Sequence, residues 1–230
     1  MVTRHEFLAS LHELLKPKCY LEVGVQYGTS LRLAGPDTIA WGIDPNPLCT
    51  DLDHAILRMT SDQFFGQAAA STVNPAPIDL GFIDGMHLVE YALRGFIGME
   101  RLSSPPGGVV FDDVLPRNQA EAAREQCPGD WTGDVWRIEE ILAKFRLDLD
   151  LLPVDTLPTG LLVVTHLDPD NRRLTEFADD IASRWPEEDT VVPAHILDRR
   201  HAWRPDAALE AIATWWRIVS AQPTQQEVVP

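Results

Sequence analysis

Four short apolar runs in this chain end in glycine or in aspartate, and that repeated design constrains its fold more than any other feature. They are Cys19-Tyr-Leu-Glu-Val-Gly24, Thr38-Ile-Ala-Trp-Gly-Ile-Asp44, Ile78-Asp-Leu-Gly-Phe-Ile-Asp84 and Gly108-Val-Val-Phe-Asp-Asp113. Each has the length of a strand, and each is too continuously apolar for a strand that faces water on one side. Helical stretches separate them, and strands alternating with helices build a doubly wound, mostly parallel α/β sheet. Ile56 to Met59 reads as a further strand. The polar ends of the strands fall where open α/β sheets bind their ligands, so function is expected along that edge.

The flanks are helical. Phe7, Leu8, Leu11, Leu14 and Leu15 recur at helical spacing behind a Thr3-to-Glu6 capping box, and Pro17 stops the pattern, so a helix is expected over 3–16. This N-terminal helix (1–17) precedes a main domain (18–166). Within that domain Gly28 to Leu33 is expected to turn and start a helix, and another helix runs from Ile138 to Phe145. Leu149 to Asp155 and Gly160 to His166 flank a Pro158-Thr-Gly turn and predict a C-terminal antiparallel hairpin. Residues 167–230 form a helical extension, with patches at 172–185 and 205–220 and a frayed end from Gln222 to Pro230. Its Trp185, Trp203, Trp215 and Trp216 either line a pocket or pack onto the core or a partner subunit of a homo-oligomer.

Composition narrows the partners. There are 19 Lys and Arg against 35 Asp and Glu, a net charge of -16, with the basic residues scattered rather than clustered. That argues against a nucleic-acid partner, whose backbone needs grouped cations. Cys19, Cys49 and Cys127 are odd in number and widely spaced, which predicts free thiols and a cytoplasmic protein. No apolar run approaches membrane-span length, so no membrane association is expected.

The first strand leads into Glu22-Val-Gly24-Val-Gln-Tyr-Gly28-Thr-Ser30, where glycines allow backbone to approach a ligand. Asp44 ends the second strand, where a carboxylate can hold a ribose diol. Only two glycines occur, so the pattern is not the three-glycine dinucleotide fingerprint, and Glu22 would repel a diphosphate. A cofactor bearing an ammonium and a sulfonium, S-adenosylmethionine, suits such a turn better than NAD.

Through Leu21 to Ser30, Gly42-Ile-Asp-Pro45, Phe82-Ile-Asp-Gly85 and Gly107 to Asp113, the chain resembles the class I S-adenosylmethionine-dependent methyltransferases over roughly residues 18–166. The resemblance implies that Glu22, Gly24, Gly28 and Ser30 contact the methionine portion, Asp44 the ribose, and Ser61 and Asp62 the adenine side.

Asp84, Asp112 and Asp113 come from the ends of two strands, and three carboxylates so close need raised pKa values or a divalent cation. An all-oxygen set suits Mg²⁺, with Mn²⁺ as the alternative. A cation there would lower the pKa of an acceptor hydroxyl and hold it in line with the methyl group. This part is similar to the cation-dependent O-methyltransferases of the catechol and macrolide-sugar types, which implies the same three aspartates as metal ligands. Asp113, Met86 and His87 depart from the catechol pattern and bring the chain nearer the sugar type.

His87 is the candidate general base, or else a helix-capping residue, and Glu90 shares its helical face and would orient it. Arg117 and Asn118 either border the acceptor or cap a helix, and Trp131 and Trp136 either stack on the acceptor or pack at a helix start. Asp84 joins His87 in the expected catalytic pair. The expected function is therefore Mg²⁺-assisted O-methylation of a small hydroxylated molecule such as a sugar or glycosylated natural product. The alternatives are a metal-independent methyltransferase, a non-catalytic S-adenosylmethionine-binding module and an NAD-dependent oxidoreductase.

Overall fold

A computed structural model describes residues 1–49, 55–66, 77–185 and 191–221. The strands are β1 (Cys19–Val23), β2 (Ile39–Ile43), β3 (Ala55–Leu57), β4 (Ile78–Ile83), β5 (Ser103–Asp112), β6 (Asp150–Val154) and β7 (Leu161–Thr165). They form one sheet in the order β3-β2-β1-β4-β5-β7-β6, parallel from β3 to β5, with β7 antiparallel to both neighbours. The expected hairpin is β6–β7, inserted so that β7 rather than β6 pairs with β5.

The helices are α1 (Arg4–Leu15), α2 (Ser61–Gly66), α3 (Val89–Arg101), α4 (Arg137–Phe145), α5 (Arg173–Arg184), α6 (Ala194–Leu197) and α7 (Pro205–Ser220). Side chains alternate across each strand, so β1 sends Leu21 and Val23 into one core and Tyr20 into the other. The first core is covered by α3, α4 and α5 through Leu93, Phe96, Ile138, Ile141, Leu174 and Ile181. The second is covered by α1 and α7 through Phe7, Leu8, Leu11, Ala208 and Ile212.

The Thr3-to-Glu6 capping box forms as expected, and α1 ends at Lys16 in the left-handed conformation, one residue before Pro17. The helix expected after the glycine turn is only a single 3₁₀ turn, Leu31–Leu33. Gly35-Pro36 follows within two residues, and proline neither donates a helical hydrogen bond nor tolerates a helical residue before it.

In the tail, Trp185 packs on Phe145, with ring centroids 6.1 Å apart, and Trp215 and Trp216 pack against the second core. Trp203 lies beside Val154 as a short addition to the sheet edge, its N–H donating to Pro153 at 2.7 Å. Trp185, Trp215 and Trp216 therefore pack on the fold, while Trp203 is held through its backbone and stays 42% exposed. The end from Gln222 to Pro230 lies outside the described residues.

A buried ion pair ties the end of α3 to the residue that follows α4. Arg146, with a side chain wholly out of solvent, donates to Glu100 at 2.6 and 2.8 Å and to the half-exposed Asp148. Replacing Glu100 with Ala strands a buried guanidinium whose remaining partner is Asp148. Urea denaturation of Glu100→Ala is expected to show a loss of about 3 kcal/mol, the lower end for a broken buried pair because Asp148 stays; a loss below about 1 kcal/mol would show that Asp148 alone suffices.

Candidate active site

The strand order places β1 beside β4, with the chain leaving these two strands in opposite directions across the sheet. A crevice opens at such a switch point. Here it is a cleft of about 540 Å³ at the carboxyl ends of β1, β2 and β4, within the size range of small-molecule sites. Gly24, Ser30, Asp44, Ser61, Asp84 and His87 all stand in its wall.

The glycine turn is dictated by contact as well as by conformation. Gly24 has φ +88°, and a Cβ there would lie 1.9 Å from the carbonyl oxygen of Asp84. The β1 and β4 ends thus touch backbone to backbone, which brings the glycine turn against the acid-bearing strand. Asp44 stands across β2 and accepts from the N–H groups of Val25 and Gln26 at 2.9 and 2.8 Å and of Asn46 at 2.7 Å. It fixes the turn and still has lone pairs facing the cleft.

Other expected cofactor residues are elsewhere. Glu22 is wholly buried behind the wall, where Tyr20 and Ser30 hydroxyls donate to its two oxygens, each at 2.7 Å. Burial pushes its pKa up to about 8, against the two hydroxyl hydrogen bonds. It is therefore a largely neutral support for Ser30 at pH 7, and the carboxylates in the cleft wall are Asp44 and Asp84, the latter faced by Arg4 and His87. Gly28 shapes the turn at φ +71° from outside the wall. Asp62 is engaged by Arg94 in a two-pronged pair at 2.8 and 2.9 Å and also lies outside the wall, which is lined there by Ser61.

The acidic cluster differs from the expected one in membership. Asp84 Oδ1 and Asp113 Oδ2 approach His87 Nε2 at 3.4 and 3.2 Å, and one donor atom from each of these three residues lies within 4.8 Å of the others. Asp112, expected in the set, is instead turned away. Its Oδ1 accepts from the Asp113 N–H at 2.9 Å and its Oδ2 is bonded to the Arg4 guanidinium, which reaches in from α1. Burial and repulsion from Asp84 and Asp113 push Asp112 upward, and Arg4 opposes them. Asp113 sits in the left-handed region at φ +63°, a costly conformation for a residue with a side chain, and its Oδ1 accepts from Thr159 at 2.6 Å.

His87 is held from behind. Its Nδ1 is 2.6 Å from the carbonyl oxygen of Trp131, which can only accept, so Nδ1 carries a proton. The Trp131 ring stacks on the imidazole at 5.1 Å, and Gly133, at φ +55°, abuts the His87 backbone so closely that a Cβ would sit 1.6 Å from its carbonyl oxygen. Burial works to lower the His87 pKa, but the hydrogen bond to Asp84 and the charges of Asp113 and Asp84 outweigh it and raise the value to about 9. At neutral pH the expected base therefore already holds a proton.

Glu90 does not orient His87. It pairs with Arg124 at 2.7 Å, and Arg124 pairs with Asp134, whose other oxygen accepts from the Val89 N–H at the start of α3. Arg117 is tied to Glu121 and Asp130, Asn118 caps the turn at Ala120 and Glu121, and neither lies in the cleft wall. Trp136 is buried in the first core. Two residues that sequence reasoning did not place in the site, Arg4 and His5, line the cleft.

The same architecture is found in solved proteins. The O-methyltransferase TomG of Streptomyces achromogenes, involved in tomaymycin synthesis and solved in complex with SAM, matches 70% of this chain and 78% of its own, with TM-score 0.52 and 20% identity. The chain has the fold of the class I methyltransferases. The SAH-bound methyltransferase PaMTH1 of Podospora anserina matches 73% of this chain and 80% of its own, with TM-score 0.53 and 16% identity. A cofactor-bound protein from MTB matches 73% and 82%, with TM-score 0.57 and 19% identity. No family model and no curated protein matches the sequence. Among the described residues of this methyltransferase fold, no helix is long and apolar enough to cross a membrane.

The His87 geometry carries a pH signature. Its folded value near 9 exceeds the unfolded value of about 6.5, so the pair's stabilisation is complete below pH 6.5 and is lost as pH rises through about 9. In metal-free protein, an imidazole NMR titration is expected to place His87 near 9 and to move it downward in Asp113→Asn. A wild-type midpoint near 6.5 would contradict the ion cluster.

Proposed function

We propose that this protein is an S-adenosylmethionine-dependent O-methyltransferase acting on a hydroxyl of a small molecule, such as a sugar or a glycosylated natural product, with help from a divalent cation. The observation that carries the reading is the cleft itself: one continuous wall joins the Gly24 turn and Asp44 to Asp84 and His87, so donor and acceptor share a single chamber. The donor is cationic at its sulfonium and ammonium, and Asp44 and Asp84 put carboxylates in the wall to meet those charges, with Arg4 and His87 as counter-charges beside Asp84. At the glycine turn the adjacent wall carboxylate is Asp44, which disfavours an ionised diphosphate there.

In the transfer, an acceptor oxygen lone pair forms the bond to the methyl carbon while the carbon–sulfur bond breaks and its electrons return to sulfur. S-adenosylhomocysteine leaves as a neutral thioether. The hydroxyl proton passes to Asp84, the one member of the aspartate trio in the cleft wall. Gly24 and Ser30 seat the methionine end, Asp44 accepts from the ribose hydroxyls, and Ser61 borders the adenine. Holding acceptor oxygen and methyl group in line is the main catalytic contribution such a chamber makes.

A cation, Mg²⁺ or Mn²⁺, fits the cluster because Asp84, His87 and Asp113 each offer a donor atom within 4.8 Å of the others. Bound there, it supplies a lowered hydroxyl pKa and a fixed oxygen position. A metal-independent reaction is the second reading, favoured by Arg4 and His87 already balancing much of the negative charge.

The two are separated by following S-adenosylhomocysteine release with hydroxylated acceptors before and after EDTA treatment. The first reading expects acceptor-dependent turnover that falls at least tenfold with EDTA and returns with added dication. Undiminished turnover in EDTA would establish the second, and release without any acceptor dependence would contradict both.

A further inference from the structure

We propose that Arg4 decides which cation this site takes: by occupying Asp112 it leaves Asp84, His87 and Asp113 as the ligands, a mixed nitrogen and oxygen set that prefers a first-row transition dication to Mg²⁺. The inference rests on the cation-assisted reading and assigns its ligands and metal class.

Three observations carry it. The first is that both Asp112 oxygens are already engaged. It is 2% exposed, one oxygen accepts from the Asp113 N–H, and the other holds Arg4. Arg4 is not a wandering surface side chain. It is the first residue of α1, whose start is fixed by the Thr3–Glu6 capping box and by backbone hydrogen bonds joining Arg4 and Val2 to Leu157, both at 2.9 Å. Its Nη1 also stands 3.8 Å from Asp84 Oδ2, so the guanidinium lies between two carboxylates that a third-aspartate ligand set would need together.

The second is the bearing of His87. A metal-binding imidazole commonly donates its other ring N–H to a carbonyl or carboxylate, which fixes tautomer and orientation. Here Nδ1 donates to the Trp131 carbonyl while Trp131 stacks on the ring and Gly133 blocks any retreat of the backbone. Nε2 is left aimed at the two carboxylates.

The third is the way the acids share their oxygens. Asp113 gives Oδ1 to Thr159 and turns Oδ2 to the cluster, and Asp84 turns Oδ1 there while Oδ2 faces Arg4. The separations of 3.2 and 3.4 Å from Nε2 are close to those of neighbouring ligands on one ion, about 3 Å for metal–ligand bonds of about 2.1 Å. Imidazole in the set moves preference away from Mg²⁺, which favours all-oxygen surroundings.

The test uses full-length protein freed of metal with EDTA and then titrated with Mn²⁺ and Mg²⁺, with bound Mn²⁺ observed by electron spin echo spectroscopy. Wild type is expected to bind Mn²⁺ at least tenfold more tightly than Mg²⁺ and to show modulation from a ligating ¹⁴N that disappears in His87→Gln. Arg4→Met releases Asp112 and is expected to raise Mg²⁺ affinity at least tenfold, a gain cancelled in Arg4→Met/Asp112→Asn. Equal wild-type affinities, absence of nitrogen modulation, or unchanged Mg²⁺ binding in Arg4→Met would overturn the proposal. The wild-type measurements stand even if a variant does not fold. Wild type that binds neither ion yet still binds S-adenosylhomocysteine would overturn it while leaving the methyl-donor site intact.

Discussion

The arrangement of the site follows from one electrostatic requirement: three aspartates delivered by β4 and β5 to the same sheet edge must be matched by positive charge. Carboxylates in a partly desolvated setting repel strongly, and the molecule answers from two directions. Arg4 arrives from the N-terminal helix onto Asp112, and His87 arrives from the turn after β4 onto Asp84 and Asp113. Each partner is itself braced, Arg4 by the capped start of α1 and His87 by Trp131 and Gly133. The segment from 117 to 136 is in turn pinned by Arg124 between Glu90 and Asp134 and by Arg117 between Glu121 and Asp130.

The sheet supplies the precision this needs. Its parallel half is buried by helices on both faces, so the strand ends cannot drift relative to one another without disturbing two cores. Close contact between the Gly24 turn and the Asp84 carbonyl converts that rigidity into a fixed distance between the glycine turn and the acidic edge. Transfer of a methyl group depends on alignment above all, and a packed sheet is a better frame for alignment than mobile loops.

The strands, the β6–β7 hairpin, the capped α1 and the C-terminal helices are legible in the sequence because each depends on local pattern: period, punctuation by Gly and Pro, and cap chemistry. The aspartates at the strand ends are legible for the same reason. What the sequence withholds is pairing at long range. Nothing near Arg4 marks it as the partner of a carboxylate 108 residues away, and nothing near His87 announces that the Trp131 carbonyl fixes its tautomer. Asp112 and Asp113 look equivalent as neighbours in sequence, yet the strand geometry turns one toward α1 and the other toward His87. Glu22 reads as a charged contact and is a buried, hydroxyl-capped support, since burial depth leaves no trace in a run of five strand residues.

The central claim is that the cleft at the β1–β4 switch point is a methyl-donor site. Isothermal titration of the purified protein with S-adenosylhomocysteine and, separately, with NAD⁺ tests it most directly. The account predicts saturable one-to-one binding of S-adenosylhomocysteine and no heat of binding for NAD⁺. Saturable NAD⁺ binding without S-adenosylhomocysteine binding would contradict it and return the glycine turn to a dinucleotide.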